Sequence, residues 1–75
     1  PIFIQVGAFA NEANAARLRG QLQRFGPSQI SKIVIDGRTL HRVRIGPLAS
    51  VQGADETLTL LIHEGFTGSR IYIAR

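Results

Sequence analysis

The chain repeats itself. Gln5-Val6-Gly7-Ala8-Phe9-Ala10-Asn11 and Arg44-Ile45-Gly46-Pro47-Leu48-Ala49-Ser50 follow one order of residue types: a polar residue, an aliphatic, glycine, a small residue or proline, a large apolar residue, alanine and a helix-capping residue. The copies lie 39 positions apart, and at the same offset Leu22 falls on Leu61, Gly26 on Gly65 and Val34 on Ile73. Each half therefore reads as strand, sharp turn, helix, glycine stop, strand. A solenoid needs at least about three repeats to bury its faces, so a unit present twice implies one supersecondary element duplicated around a shared core. The expected architecture is βαββαβ, with residues 1–75 as one domain, because a chain this short buries only about 60% of its unfolded surface and has no core to divide.

The local pattern supports that order. In Ile2-Phe3-Ile4-Gln5-Val6 alternation puts Ile2, Ile4 and Val6 on one face and Phe3 and Gln5 on the other. Asn11 caps a helix whose apolar positions are Ala15, Leu18, Leu22 and Phe25, and Gly26-Pro27 stops it. A second strand lies within Ile30 to Ile35, and Asp36-Gly37 is a hairpin signal leading into a third, Thr39 to Ile45. Ser50 caps a second helix with Ala54, Leu58, Leu61 and Ile62 on its apolar side and Gly65 at its end, and Ile71 and Ile73 form the core pair of a last strand.

The hairpin register decides what β-strand two contributes. A two-residue turn puts Ile33 and Ile35 on the face of Leu40 and Arg42, whereas one more turn residue moves them into the core with Val43. The longer turn is the expectation. Two β-α-β halves in tandem close most simply into a four-stranded antiparallel sheet of order 4-1-3-2, an α+β fold with both helices on one face and a pseudo-two-fold internal repeat. The other face is then open. There the central strands carry Gln5, Arg42 and Arg44, flanked by Phe3, Leu40, Arg70 and Tyr72.

Charge and composition narrow the function. Nine Lys and Arg against five Asp and Glu give a net charge of +4, and eight of the nine cations are arginines, the residue suited to bidentate recognition of carboxylate or phosphate. With no cysteine and only two histidines, neither a disulfide framework nor a metal site is expected. No cofactor is implied. His41 reads as a half-buried core-side histidine and His63 as an exposed helix-end residue. Glu12, Asp55, Glu56 and Glu64 fall on helices and Asp36 in a turn, away from the sheet face, so no acid-base pair or nucleophile converges on a pocket and the module is not expected to be an enzyme. Gly7 and Gly46 read as structural, each where a strand turns into a helix, and the Lys-Ser/Thr of a nucleotide cradle is missing. No apolar run reaches the roughly 18 residues of a membrane span, and Pro1 suggests an excised fragment.

Gln5-Val6-Gly7-Ala8-Phe9 after an alternating strand, together with His41-Arg42-Val43-Arg44-Ile45-Gly46-Pro47-Leu48, closely resembles the SPOR domain family, whose halves carry Q-V-G-A/S-F and Y-R-V-R-V-G-P-F motifs. The resemblance implies a non-catalytic module of bacterial cell-envelope proteins, periplasmic and concentrated at the division septum, that binds peptidoglycan glycan strands stripped of their stem peptides. It places the binding face on Gln5, Ala8, Leu40 and Arg42, with Arg44 and Arg70 nearby. Ala8 stands where many members have serine and Leu40 where some have an aromatic, which removes a hydroxyl and a stacking surface that Phe3 or Tyr72 would replace. Compatible parent proteins are a division protein, an amidase or a septal lytic transglycosylase of the rare lipoprotein A type.

The ligand chemistry fits that implication. A glycan strand freed of peptide exposes a lactyl carboxylate on every N-acetylmuramic acid, which an intact stem peptide caps as an amide. Arg42 and Arg44 suit those carboxylates, and Gln5 both donates to and accepts from N-acetyl groups. A monomer is expected. The alternative is single-stranded nucleic-acid binding, because RNA-recognition modules share the βαββαβ order and read bases on the open sheet. Those modules stack bases on central-strand aromatics, and their K/R-G-F/Y-G/A-F-V-x-F/Y pattern is missing here, so no nucleic acid is expected as a partner. A third reading packs the open face against a partner protein or a second copy.

Overall fold

The computed structural model describes residues 1–74, so Arg75 lies outside it. Seven elements follow in order: β1 (Ile2–Phe9), α1 (Glu12–Gln21), a 3-10 turn (Gln23–Phe25), β2 (Ser28–Ile35), β3 (Arg38–Leu48), α2 (Val51–His63) and β4 (Arg70–Ile73). The sheet runs β2-β3-β1-β4 with every pairing antiparallel, the expected 4-1-3-2 order. The duplication is built into its centre. Gln5 pairs directly with Arg44, its own counterpart 39 positions later, so the pseudo-two-fold passes between the two motifs.

Each helix begins on a cap visible in the sequence, but α1 stops at Gln21 with Leu22 as its C-cap, short of the expected Gly26-Pro27 end, and a separate 3-10 turn carries Phe25 to Gly26. Asn11 Oδ1 accepts from the backbone N–H groups of Ala13 and Asn14 at 2.8 and 3.2 Å, and Ser50 Oγ accepts from that of Gly53 at 3.0 Å. Gly65, at φ +102°, closes α2: its N–H donates to Ile62 O and that of Phe66 to Leu61 O, the paired bonds of a Schellman motif. That turn delivers the Phe66 ring edge-on to Phe25, with centroids 6.0 Å apart, so the ends of both helical segments meet.

Ile4, Val43 and Ile45 from the central strands bury completely against Ala15 and Leu22 of α1 and Leu61 of α2, which puts both helices on one side of the sheet. Fully burying an aliphatic side chain of this size contributes about 1.5–3 kcal/mol. A Cβ on Gly7 would stand 3.0 Å from the Leu18 side chain, so this glycine lets α1 lie close on β1.

Several expectations need correction. The hairpin turn is the shorter one: Ile35 pairs with Arg38 across Asp36 (φ 51°) and Gly37 (φ 74°), the doubly positive turn whose twist matches the flanking strands. Ile33 and Ile35 therefore face the same side as Leu40 and Arg42. Val34, on the opposite side, is 70% exposed, so the hairpin tip projects past the helices and its apolar pattern meets no core that would set the register. Ile62 is exposed because it lies about 100° around the helix from the buried Leu61. Ile73 is exposed at the end of the four-residue edge strand, leaving Ile71 alone on the core. Finally, β1 runs through Gly7 to Phe9 and β3 through Gly46 and Pro47 to Leu48, so both motif glycines lie inside strands rather than at the turns into the helices. Among the described residues no helix is long and apolar enough to cross a membrane.

Candidate functional site

The face away from the helices holds the charged residues of the central strands. Arg44, Gln5 and Arg70 occupy one rung across β3, β1 and β4, and Ser31, Arg42 and Ala8 occupy the next across β2, β3 and β1. Leu40, half-buried opposite Ile33, extends the row toward the hairpin. Phe3 and Tyr72 pair across β1 and β4 beside the Gln5 rung. The sheet thus brings Phe3, Gln5, Ala8, Leu40, Arg42, Arg44, Arg70 and Tyr72 onto one surface.

The two motif arginines are held differently. The Arg44 guanidinium lies over the Phe3 ring, 4.0 Å from its centroid. One of its terminal nitrogens, Nη1, donates to the Tyr72 hydroxyl at 2.9 Å, and Nη2 donates to Gln29 Oε1 at 3.2 Å. Gln29 is itself fixed, since its Nε2 donates to the carbonyl of Gly46 at 3.1 Å. Among the described residues Arg44 Nε is buried without a hydrogen-bond partner. Beneath this cation Phe3 is only 6% exposed and stacks on Tyr72, with centroids 5.7 Å apart and planes 22° from parallel. Phe3 is thus the floor under Arg44 and offers no free ring surface to a ligand.

Arg42 is looser. Its Nε donates to Ser31 Oγ at 3.2 Å and its guanidinium carbon lies 4.9 Å from the Tyr72 centroid, a cation–π distance. Neither Nη of Arg42 donates a hydrogen bond among the described residues. Those two nitrogens form one edge of a planar fork that matches a carboxylate. Gln5 is half-buried, whereas Ala8 and Arg70 are exposed.

Anionic side chains are placed elsewhere. Glu12 is on α1, Asp55 and Glu56 are on α2, Glu64 caps its end, and Asp36 is in the hairpin turn. Among the described residues the one ion pair joins Arg24 to Glu64 at 2.7 Å, linking the ends of the two helical segments. Among the described residues the guanidinium groups of the sheet face therefore form no ion pair. A surface that holds cations in place without neutralising them is preorganised for an anionic ligand.

Sequence reading did not find Gln29 and Ser31, which support Arg44 and Arg42 from β2. The signal was present in the two-residue turn: counted back from Asp36-Gly37, that register sets Ser31 opposite Arg42 and Gln29 opposite Arg44. Phe3 was placed on the correct face but its burial was not foreseen, because the cover is a guanidinium rather than a helix.

Comparison with known proteins gives the following. The SPOR domain family model matches residues 1–71. Over 58 residues the chain is 40% identical to the endolytic peptidoglycan transglycosylase RlpA of Pseudomonas aeruginosa, a match covering 75% of this chain and 17% of the relative. The chain thus corresponds to a small part of that protein. The crystal structure of the RlpA SPOR domain from Pseudomonas aeruginosa superposes with a TM-score of 0.88 at 30% identity, covering 99% of this chain and 100% of the other. The solution structure of the peptidoglycan binding domain of the B. subtilis cell wall lytic enzyme CwlC gives 0.72 at 27% identity, covering 99% and 90%.

Proposed function

The chain belongs to the SPOR domain family, and on that premise we propose that its open sheet face binds peptidoglycan glycan strands lacking stem peptides, and so directs a longer envelope protein to the division septum. Support for the ligand class comes from the similarity to a structure described as a peptidoglycan binding domain. The observation that carries the finer reading is Arg42, whose paired Nη groups stand free and form no ion pair among the described residues. Removing the stem peptide converts an amide into a lactyl carboxylate, which is the group this fork fits.

Roles follow from position. Arg42 takes a lactyl carboxylate, with Arg70 adding charge from the edge strand. Gln5, between Arg44 and Arg70, reads an N-acetyl group through its paired donor and acceptor. Arg44 keeps the rung flat and positive while Tyr72 holds Arg42 over its ring. Ala8 and Leu40 give a low surface along which a sugar ring can lie. The module binds and does not catalyse, and transglycosylase or amidase activity belongs to other parts of a longer protein.

Nucleic-acid binding is less well supported by the face itself. Phe3 lies under Arg44, and Phe9 pairs with His41 on the helix side, so the central strands present no open aromatic ring for base stacking. The deciding experiment is binding of the domain to purified sacculi before and after an amidase removes the stem peptides, with single-stranded RNA as competitor and a salt series alongside. The reading predicts a gain on amidase treatment that RNA does not compete away. No gain, or capture by RNA with a steep salt dependence, overturns it.

A further inference from the structure

The short hairpin turn puts more on the open face than the motif residues. Alternation along β3 carries Arg38 to the same side as Leu40, Arg42 and Arg44, and the ladder sets Ile35 beside Arg38 and Ile33 beside Leu40. At the tip these residues enclose a shallow depression of about 170 Å³ lined by Ile35, Asp36, Arg38 and Leu40. Ile35 is 50% exposed, an apolar floor in solvent at the end of a charged row. Arg38 is exposed and makes no ion pair among the described residues, even with Asp36 two residues away.

We infer that this depression is a second glycan subsite, in which Arg38 takes the carboxylate of a further muramic acid residue on the same strand that Arg42 engages. The inference rests on the reading of the Arg42 face given above. Four residues separate Arg38 from Arg42, which at about 3.3 Å per residue is roughly 13 Å along β3. One sugar ring does not span that interval. A denuded strand does, because its carboxylates recur on alternate sugars with an uncharged ring between them. Leu40 lies between the two arginines in the row, apolar where the intervening sugar is uncharged.

The residue types match the surface of such a sugar. Pyranose rings present C–H groups on their faces and hydroxyls at their edges. Ile35 and Leu40 meet the former, the Asp36 carboxylate accepts from the latter, and Arg38 pairs with the lactyl group. The tip is also the part of the face least held by the fold, since Val34 behind it is 70% exposed and the helices do not cover it.

The test is affinity as a function of glycan length, read by calorimetric titration with denuded disaccharide, which carries one lactyl carboxylate, and tetrasaccharide, which carries two. The wild-type domain is expected to favour the tetrasaccharide. Replacing Arg38→Gln should cut the tetrasaccharide-over-disaccharide ratio roughly tenfold, the loss expected for a charge-assisted contact, with Arg38→Lys intermediate because it keeps charge without the fork. When the lactyl carboxylates of both oligosaccharides have been reduced to alcohols, the wild-type domain should show the same lowered ratio. Arg42→Gln serves as the control on the parent reading and should weaken both lengths. If Arg42→Gln weakens both while Arg38→Gln leaves the ratio unchanged, the hairpin subsite is overturned and the parent reading stands. If Arg42→Gln changes neither length, the parent reading fails with it. Circular dichroism of each variant confirms folding, which the exposure of Arg38 leads us to expect.

Discussion

The two ends of the open sheet face are built on opposite plans. At one end Arg44 lies between the Phe3 ring, the Tyr72 hydroxyl and the Gln29 carbonyl, with Gly46 closing the packing from below. At the other, Arg38 and Ile35 stand in solvent around a two-residue turn, and no helix backs them. The same residue type therefore does different work. Arg44 contributes a fixed positive field and holds its neighbours in place, whereas Arg38 is free to spend its hydrogen bonds on a ligand. Arg42 lies between these limits, with its Nε tied to Ser31 and both Nη groups open among the described residues.

This contrast can be broken by making one substitution at both ends. A Cβ on Gly46 would stand 2.9 Å from the Ile2 carbonyl and 2.9 Å from Phe3, at a φ of +134°. Gly46→Ala should therefore cost about 3 kcal/mol or more in urea unfolding, combining backbone strain with overpacking. Gly37, at φ +74°, has nothing within 4 Å of such a Cβ, and Gly37→Ala should cost only about 1–2 kcal/mol. Equal costs would mean that the two ends are equally constrained.

Side-chain truncation gives the next largest difference. Phe3→Ala removes a buried ring and should destabilise by about 3–5 kcal/mol, while Ile35→Ala at the half-exposed tip should cost less than about 1 kcal/mol. Arg42→Ala should leave the urea midpoint nearly unchanged but weaken denuded-glycan binding by about 1.5–3 kcal/mol, tenfold or more in Kd. Loss of the folded spectrum in that variant would make Arg42 a structural residue. Tyr72→Phe keeps the ring under Arg42 but leaves an Arg44 N–H unpaired, so it should lower stability by about 1–3 kcal/mol and affect binding much less than Arg42→Ala. Arg24→Gln should also have a small effect: its ion pair with Glu64 is exposed on both sides, and its removal should lower the unfolding free energy by no more than about 1 kcal/mol.

The same contrast explains what the amino-acid pattern made legible. Where a side is packed, periodicity has a physical target: Ile4, Leu22, Val43, Ile45 and Leu61 were all expected in the core, and all are fully buried. The caps at Asn11 and Ser50 follow from side-chain chemistry acting within one turn. The pairing of Gln5 with Arg44 follows from the duplication itself. The helices do not reach the hairpin tip, so the core that the longer turn would supply to Ile33 and Ile35 is missing and apolar pattern alone points to the wrong register. Turn chemistry at Asp36-Gly37 was the better guide there. The network around Arg44 was invisible for a different reason. It depends on a cation lying flat over a ring and on polar partners from three strands, which alternation within one strand does not encode.

The most direct measurement is a titration of isotope-labelled domain with purified denuded glycan, followed by NMR at backbone amides and arginine Nε–H groups. The binding face proposed here predicts saturable shifts at Gln5, Ala8, Leu40, Arg42 and Arg70, extending to Arg38 with longer strands, and little change on α1 and α2. Shifts confined to the helices, or no saturable shift on β1 and β3, would contradict it.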